Sequence, residues 1–140
     1  MAYWLFKEEP EHYNLADLER DKTTAWDGVT NNLARMHLRK VAKGDRIFFY
    51  HTGKEKAVVG EMKAVGNPCP DPQSDDPKSV VVKVQFVRRL EQTVPLEVIK
   101  KEKRLTGWDL LRISRLSVVP VTEEQWKCVE ELSRKSGLVV

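Results

Sequence analysis

Residues Arg46 to Val65, "RIFFYHTGKEKAVVGEMKAV", decide the architecture. Two apolar runs flank a glycine-containing turn, so the stretch predicts a hairpin with strands over Arg46–His51 and Ala57–Val65. In the first strand Ile47, Phe49 and His51 alternate with Phe48 and Tyr50, which leaves both faces largely apolar. A strand of that kind is covered on both sides, as in a barrel packed by outer helices.

Upstream of the hairpin, "NLARMHLRK" places Leu33, Met36 or His37, and Val41 at helical spacing, with Asn31 as cap and "KGD" as stop. Arg35 and Arg39, four apart, lie on another face of that helix. Before it, "TTAWDGVTNN" (Thr23–Asn32) has neither helical nor strand period. Nearer the start, "YWLFK" reads as a strand closed by the proline break "EEPE", and Asn14 caps a short helix "LADLER".

Downstream, "GNPCPDPQSDDPK" (66–78) holds four prolines and three aspartates and reads as a long surface loop. "SVVVKVQFVRRL" is a third strand, "PLEVIKKE" a short helix with Pro95 in its first turn, and "GWDLLRISR" a turn or helix. "LSVVPV" is a strand whose Pro120 suggests an edge or bend. The last helix opens with a Thr122–Gln125 capping box, shows the stripe Trp126, Val129 and Leu132, and is expected to stop at Gly137. Five or six strands with four or five short helices give one α+β domain, 1–140, built on a curled antiparallel sheet.

At 140 residues the chain can bury a full core without staples. Cys69 and Cys128 have no C-x-x-C partner or histidine pair nearby, which argues against a zinc site and for free thiols. No apolar run approaches the roughly 20 residues of a membrane span, and no basic-then-apolar leader opens the sequence. The expected location is cytoplasmic, or nuclear in a eukaryote, with no cofactor, metal or membrane partner. The net charge of +3 is unevenly placed: residues 1–30 carry three basic against seven acidic side chains. Residues 31–46 reverse this with five against one, and 100–115 with six against two. Two such segments can form one phosphate-facing surface.

Catalytic templates are missing: no G-x-S-x-G, no H-E-x-x-H and no phosphate-cradling glycine loop occurs. His12, His37 and His51 are scattered. The aromatics suggest binding instead, since Trp4, Trp26 and Tyr50 fall where a closed sheet can gather them into a slot for a planar ligand. "WDG" adds a carboxylate for a base edge and a glycine for close backbone approach. The competing interpretation is a core tryptophan beside an ordinary turn.

The ordered series "YWLFKEEP", "WDGVTNNLARMHLRKVAKGDRIFFYHT", "VGEMKAV…PDP", "VQFVRRLEQTVPLEVIK" and "LLRISRLSVVPVTEEQW" resembles the EVE domain family from Tyr3 to about Leu132. The resemblance implies a PUA-like twisted β-barrel flanked by helices, distantly related to the YTH readers of methylated adenine. It also implies non-catalytic binding of modified bases in nucleic acid, DNA or RNA, such as cytosine altered at its 5 position. By the same resemblance the base pocket comprises Trp4, Lys7, Glu8, Trp26, Asp27, Gly28, Asn31, Tyr50, His51 and Thr52, with Trp26 stacking and Asp27 and Asn31 at the base edge. Arg35, Arg39, Arg112 and Arg115 are expected to meet phosphates, and the partner is nucleic acid bound by a monomer. Where the family usually has "KSEP", "DGVRN" and "YHS", this chain has "KEEP", "DGVTN" and "YHT", so Glu8 replaces a small hydroxyl and Thr30 a cation. An enzymatic alternative takes Lys7, Glu8 and Thr52 as the apparatus of a small ASCH-like amidohydrolase acting on modified pyrimidine nucleosides. A scaffold whose pocket is filled by its own side chains is the third possibility.

Overall fold

A computed structural model describes residues 1–134; the Gly137 stop lies outside them. In chain order the elements are β1 (Tyr3–Glu8), α1 (Leu15–Asp21), β2 (Thr23–Trp26), α2 (Asn32–Leu38), β3 (Arg46–His51) and β4 (Ala57–Ala64). They continue with β5 (Cys69–Pro70), β6 (Val80–Pro95), α3 (Leu96–Lys101), a 3₁₀ turn (Lys103–Leu105), α4 (Asp109–Arg112), β7 (Val118–Val121) and α5 (Glu123–Leu132). The seven strands form one sheet in the order β2-β6-β4-β3-β1-β7, with β5 also paired to β6. All pairings are antiparallel except β1 with β3.

The sheet curls on itself, and one residue shows it. Trp26 in β2 lies three strands from β3 and four from β1 in the sheet order. In a flat sheet, spacings of about 4.8 Å per strand would put these partners roughly 14–19 Å away. Its ring instead sits 5.4 Å from that of Phe6 and 5.3 Å from that of Phe49. Register shifts where β4 meets the long β6, at Val58/Gly60 and Glu61/Met62, supply bend points. This is the α+β, PUA-like architecture expected, with seven strands among the described residues rather than five or six. The added ones are β2, whose four residues are too few to show a period, and β5, two residues within the proline-rich loop.

The central hairpin is buried on both faces as its composition requires: Ile47, Phe48 and Phe49 are fully covered. Phe49 faces the inside of the curl with Trp26, whereas Phe48 stacks on Trp126 of α5 at 3.6 Å and 11°. Arg46 lies over the same indole, and together with Arg88 it bonds the buried Glu61 carboxylate, tying α5 to the outside of the sheet. Asp45, also buried, accepts N–H groups from Ala2, Ala42 and the Trp4 indole, so the start of β1 is fixed before the strand begins.

The caps follow the sequence closely. Asn14 and Asp17 form a capping box on α1, Asn31 accepts the Ala34 N–H of α2, and Thr122 and Gln125 close the box on α5. Pro95 differs slightly: β6 runs through it and it becomes the N-cap residue of α3, because its extended backbone serves both elements.

Candidate nucleic-acid interface

β1 ends at Glu8 and β2 at Trp26, and the curl brings these two ends together. Between them lies a cavity of about 160 Å³ lined by Glu8, His12, Tyr13, Thr24, Ala25, Trp26 and Asp27. It is below the roughly 300–1,000 Å³ of drug-sized ligand sites, a volume suited to one planar group rather than a whole nucleotide. More open grooves occur elsewhere, of about 410 Å³ beside Leu15, His51 and Arg89 and about 400 Å³ beside Arg88, Glu130 and Arg134, but neither carries a Trp, Tyr or Phe.

The polar lining is rich in acceptors. Glu8 Oε1 takes the Glu9 N–H at 3.1 Å and the His12 Nδ1–H at 3.1 Å, while the exposed Asp27 lies on the opposing segment. The Glu8 hydrogen bond, then its charge and those of Asp27 and Glu9, raise the His12 pKa above its ordinary value. Tyr13 donates to Asp21, which holds its ring at the wall. Carboxylates in such a place accept the amino group of a cytosine or adenine edge, and Ala25 and Trp26 offer apolar surface to a methyl group.

Of the ten expected pocket residues, Glu8, Trp26 and Asp27 line this cavity. Trp26 is 4% exposed and packs between Phe6 and Phe49, so its ring is chiefly a core anchor with a small surface on the cavity. Gly28 and Asn31 follow on the same loop. Gly28 has φ +72°, which favours glycine, and Asn31 uses its side chain to cap α2. Trp4 is buried with its indole N–H on Asp45, so its hydrogen bonding is spent inside the fold.

Lys7 and Tyr50 lie on the other face of the sheet. Adjacent strand residues point oppositely, and Lys7 is paired with Tyr50 across β1 and β3, its Nζ 5.6 Å from the ring and bonded to Ser114 O at 2.9 Å. Burial lowers the Lys7 pKa and pushes that of Tyr50 up to about 12. The lysine and carboxylate of the amidohydrolase scheme are thus on opposite faces of β1. Thr52 donates its backbone N–H to Glu8 O. His51 is structural: Nε2 accepts the Leu15 N–H at 3.1 Å, so the proton is on Nδ1, which donates to Glu55 at 2.6 Å.

The arginines also divide. Arg35 is 8% exposed and bonded to Val29 O and Asp76, Arg39 donates to Lys78 O, and Arg112 forks onto Asp109. Arg115 is exposed next to Ser114, the residue that Lys7 anchors to the end of β1. Sequence reasoning missed His12, Tyr13, Thr24 and Ala25. The signal for His12 was its spacing of four from Glu8, which a tight turn on Glu9 O, not a helix, brings into contact. Among the described residues no group of three His, Cys, Asp or Glu is arranged to hold a metal, and no helix is long and apolar enough to cross a membrane.

A curled sheet closed around Phe6, Trp26 and Phe49, with α1 against its inner face and α5 on its outer one, a double-buried central hairpin and a small cavity beside Trp26 and Tyr13 at the strand ends, defines a PUA-like domain. The chain belongs to the EVE domain family, whose profile matches residues 2–132. Mouse thymocyte nuclear protein 1 is 37% identical over 93% of this chain and 73% of its own length. The human protein of that name is 35% identical over 96% and 75%. Among solved structures, a Rhodopseudomonas palustris protein superposes with a TM-score of 0.90 at 36% identity, covering 100% of this chain and 96% of its own. Human THYN1 in complex with 5-methylcytosine-containing DNA superposes with 0.90 at 34%, covering 97% and 99%. A Zymomonas mobilis ASCH protein, at 0.60 and 12% identity, shares the fold alone.

Proposed function

We propose that this chain is a non-catalytic reader that binds a modified base of nucleic acid, with the base edge in the Glu8–Asp27 cavity and the flanking backbone outside it. The observation that carries the proposal is the human relative bound to 5-methylcytosine DNA, matched along nearly the whole chain. The cavity fits that role chemically. Glu8 and Asp27 accept an exocyclic amino group, Ala25 and Trp26 meet a 5-substituent, and the opening between two strand ends admits a base swung out of its stack.

Swinging a base out costs a few kcal/mol, which contact with the cavity and two or three hydrogen bonds offset only in part. Phosphate contacts therefore contribute much of the affinity, and binding should weaken as salt rises. Fluorescence anisotropy with DNA and RNA oligonucleotides, each with 5-methylcytosine or cytosine at one position, at two salt concentrations, tests this. A preference for the modified strand that persists at both salts is the expected outcome. Equal binding of modified and unmodified strands, insensitive to salt, overturns the proposal.

A further inference from the structure

We infer that Arg35 is a positioning residue for the base-reading loop rather than a phosphate contact, an inference that rests on the function just proposed. Its guanidinium is a planar fork with donors in fixed directions. Nε donates to Val29 O at 2.8 Å, and one terminal nitrogen donates to Asp76 Oδ2 at 2.9 Å and Ser79 Oγ at 3.4 Å. One side chain thereby joins the loop 27–31 to the loop 71–79.

Loop 27–31 needs such a tie. It leaves Trp26, carries Asp27 at the cavity and passes through Gly28 at φ +72°, a residue with no side chain to pack. Asn31 secures its far end on the Ala34 N–H, and Arg35, one turn into α2, reaches back to Val29 in the middle. Asp27 stands two residues before that anchored carbonyl.

The second loop is a frame bonded to itself. Asp71 N–H donates to Ser79 O, Ser79 N–H to Asp76 O, Asp76 N–H to Ser74 Oγ, and Lys78 N–H to Asp76 Oδ1. Arg39 fastens it to α2 through Lys78 O at 2.7 Å. The Lys78 N–H, and then Arg35, hold the Asp76 carboxyl below its ordinary pKa. Arg35 is covered, at 8% exposure, so a phosphate reaching this guanidinium has to take the place of Asp76. Arg39, the exposed C-cap residue of α2, thus bonds the same loop that covers Arg35.

Arg35→Lys separates the two roles. Lysine keeps the charge, which is sufficient for a phosphate, but cannot donate in both directions as the fork does. With modified and unmodified oligonucleotides, R35K is expected to lose roughly tenfold of the base preference that well-placed polar contacts give, with its salt dependence unchanged. Asp76→Asn, at a half-exposed site that threatens folding little, should shift preference the same way by less. Amide hydrogen exchange of residues 27–31 reports on the loop without any ligand, and should quicken in both variants. Three results overturn the inference: R35K binding like the parent with unaltered exchange; Arg35→Gln lowering affinity equally for both strands with the salt slope reduced by about 0.9, the signature of one lost phosphate; or D76N raising affinity by unmasking a cation. If the parent itself ignores base modification, the functional proposal fails, and the exchange rates alone still decide whether Arg35 positions the loop.

Discussion

Trp26→Ala separates a stacking platform from a core anchor. The indole is 4% exposed and packed against Phe6 and Phe49, so its loss opens a void at the place where the sheet folds back on itself. Truncating a buried tryptophan to alanine costs about 3–5 kcal/mol. That range already includes the two aromatic contacts, which are worth about 0.5–1.5 kcal/mol each. For a domain of this size, at roughly 3–4 °C per kcal/mol, the melting temperature should fall by about 10–20 °C. Against a total stability of about 5–15 kcal/mol, the loss leaves about 0–12 kcal/mol, so W26A is folded unless the parent lies at the bottom of that range. Urea unfolding followed by far-ultraviolet circular dichroism measures it, with Trp26→Phe as the companion that keeps a ring in the core and should lose much less. A W26A protein within about 1 kcal/mol of the parent refutes the reasoning, because a ring that can be removed so cheaply is not buried as described. Binding by W26A should be interpreted only at temperatures where the variant is fully folded.

Further tests address the cavity and the fold. Glu8→Gln removes the charge that, through its hydrogen bond, raises the His12 pKa, so the imidazole should titrate lower by NMR. In the parent, the pair's contribution is fully present below the unfolded histidine pKa and is lost as pH rises through the raised folded value; an unchanged His12 titration in E8Q removes the assigned contact. Gly60→Ala would place a Cβ 2.6–2.7 Å from the Leu15 methyls and 2.9 Å from the Arg88 carbonyl, and because backbone cannot step aside it should destabilise by about 1–3 kcal/mol in chemical denaturation. Thr30→Arg, restoring a cation on the exposed loop beside Gly28, should raise affinity for any oligonucleotide and steepen the salt slope by about 0.9 if it meets one phosphate; an unchanged slope shows that the strand does not pass there.

The fold was legible where local chemistry is self-sufficient. Hairpin alternation at Ile47–His51 and the caps at Asn14, Asn31 and Thr122 need no distant partner, and each stands as read. β2 was illegible because four residues cannot display a period; pairing with Val82–Gln85, more than fifty residues away, makes Thr23–Trp26 a strand. The same limit affected the site. Proximity of Trp4, Trp26 and Tyr50 was inferred from strand ends alone, but alternation turns Tyr50 to the opposite face from Phe49, and only the curl reveals that Trp26 faces Phe49. Arg35 read as exposed alongside Arg39 because nothing local indicates that a loop forty residues downstream returns to cover Arg35 and to bond Arg39, which stays exposed.

The uneven charge along the chain acquires a physical role once the strand ends are in place. Residues 1–30 are acidic, and they supply the cavity's Glu8 and Asp27; the basic residues near 112–115 lie beside the outer end of β1 through the Lys7–Ser114 bond. Carboxylates around a small opening repel phosphates and accept amino hydrogens, so such a cavity favours an uncharged base edge over the backbone that bears it. Arg35, Arg39 and Arg112 are each bonded within the chain, so a phosphate meeting any of these guanidiniums competes with a partner already in place. In the proposed role, the cavity supplies the dependence on the base while exposed cations elsewhere supply the salt-sensitive part of the affinity. Discrimination between modified and unmodified strands should therefore survive added salt better than affinity does, since the cavity contacts release no counterions while the phosphate contacts do.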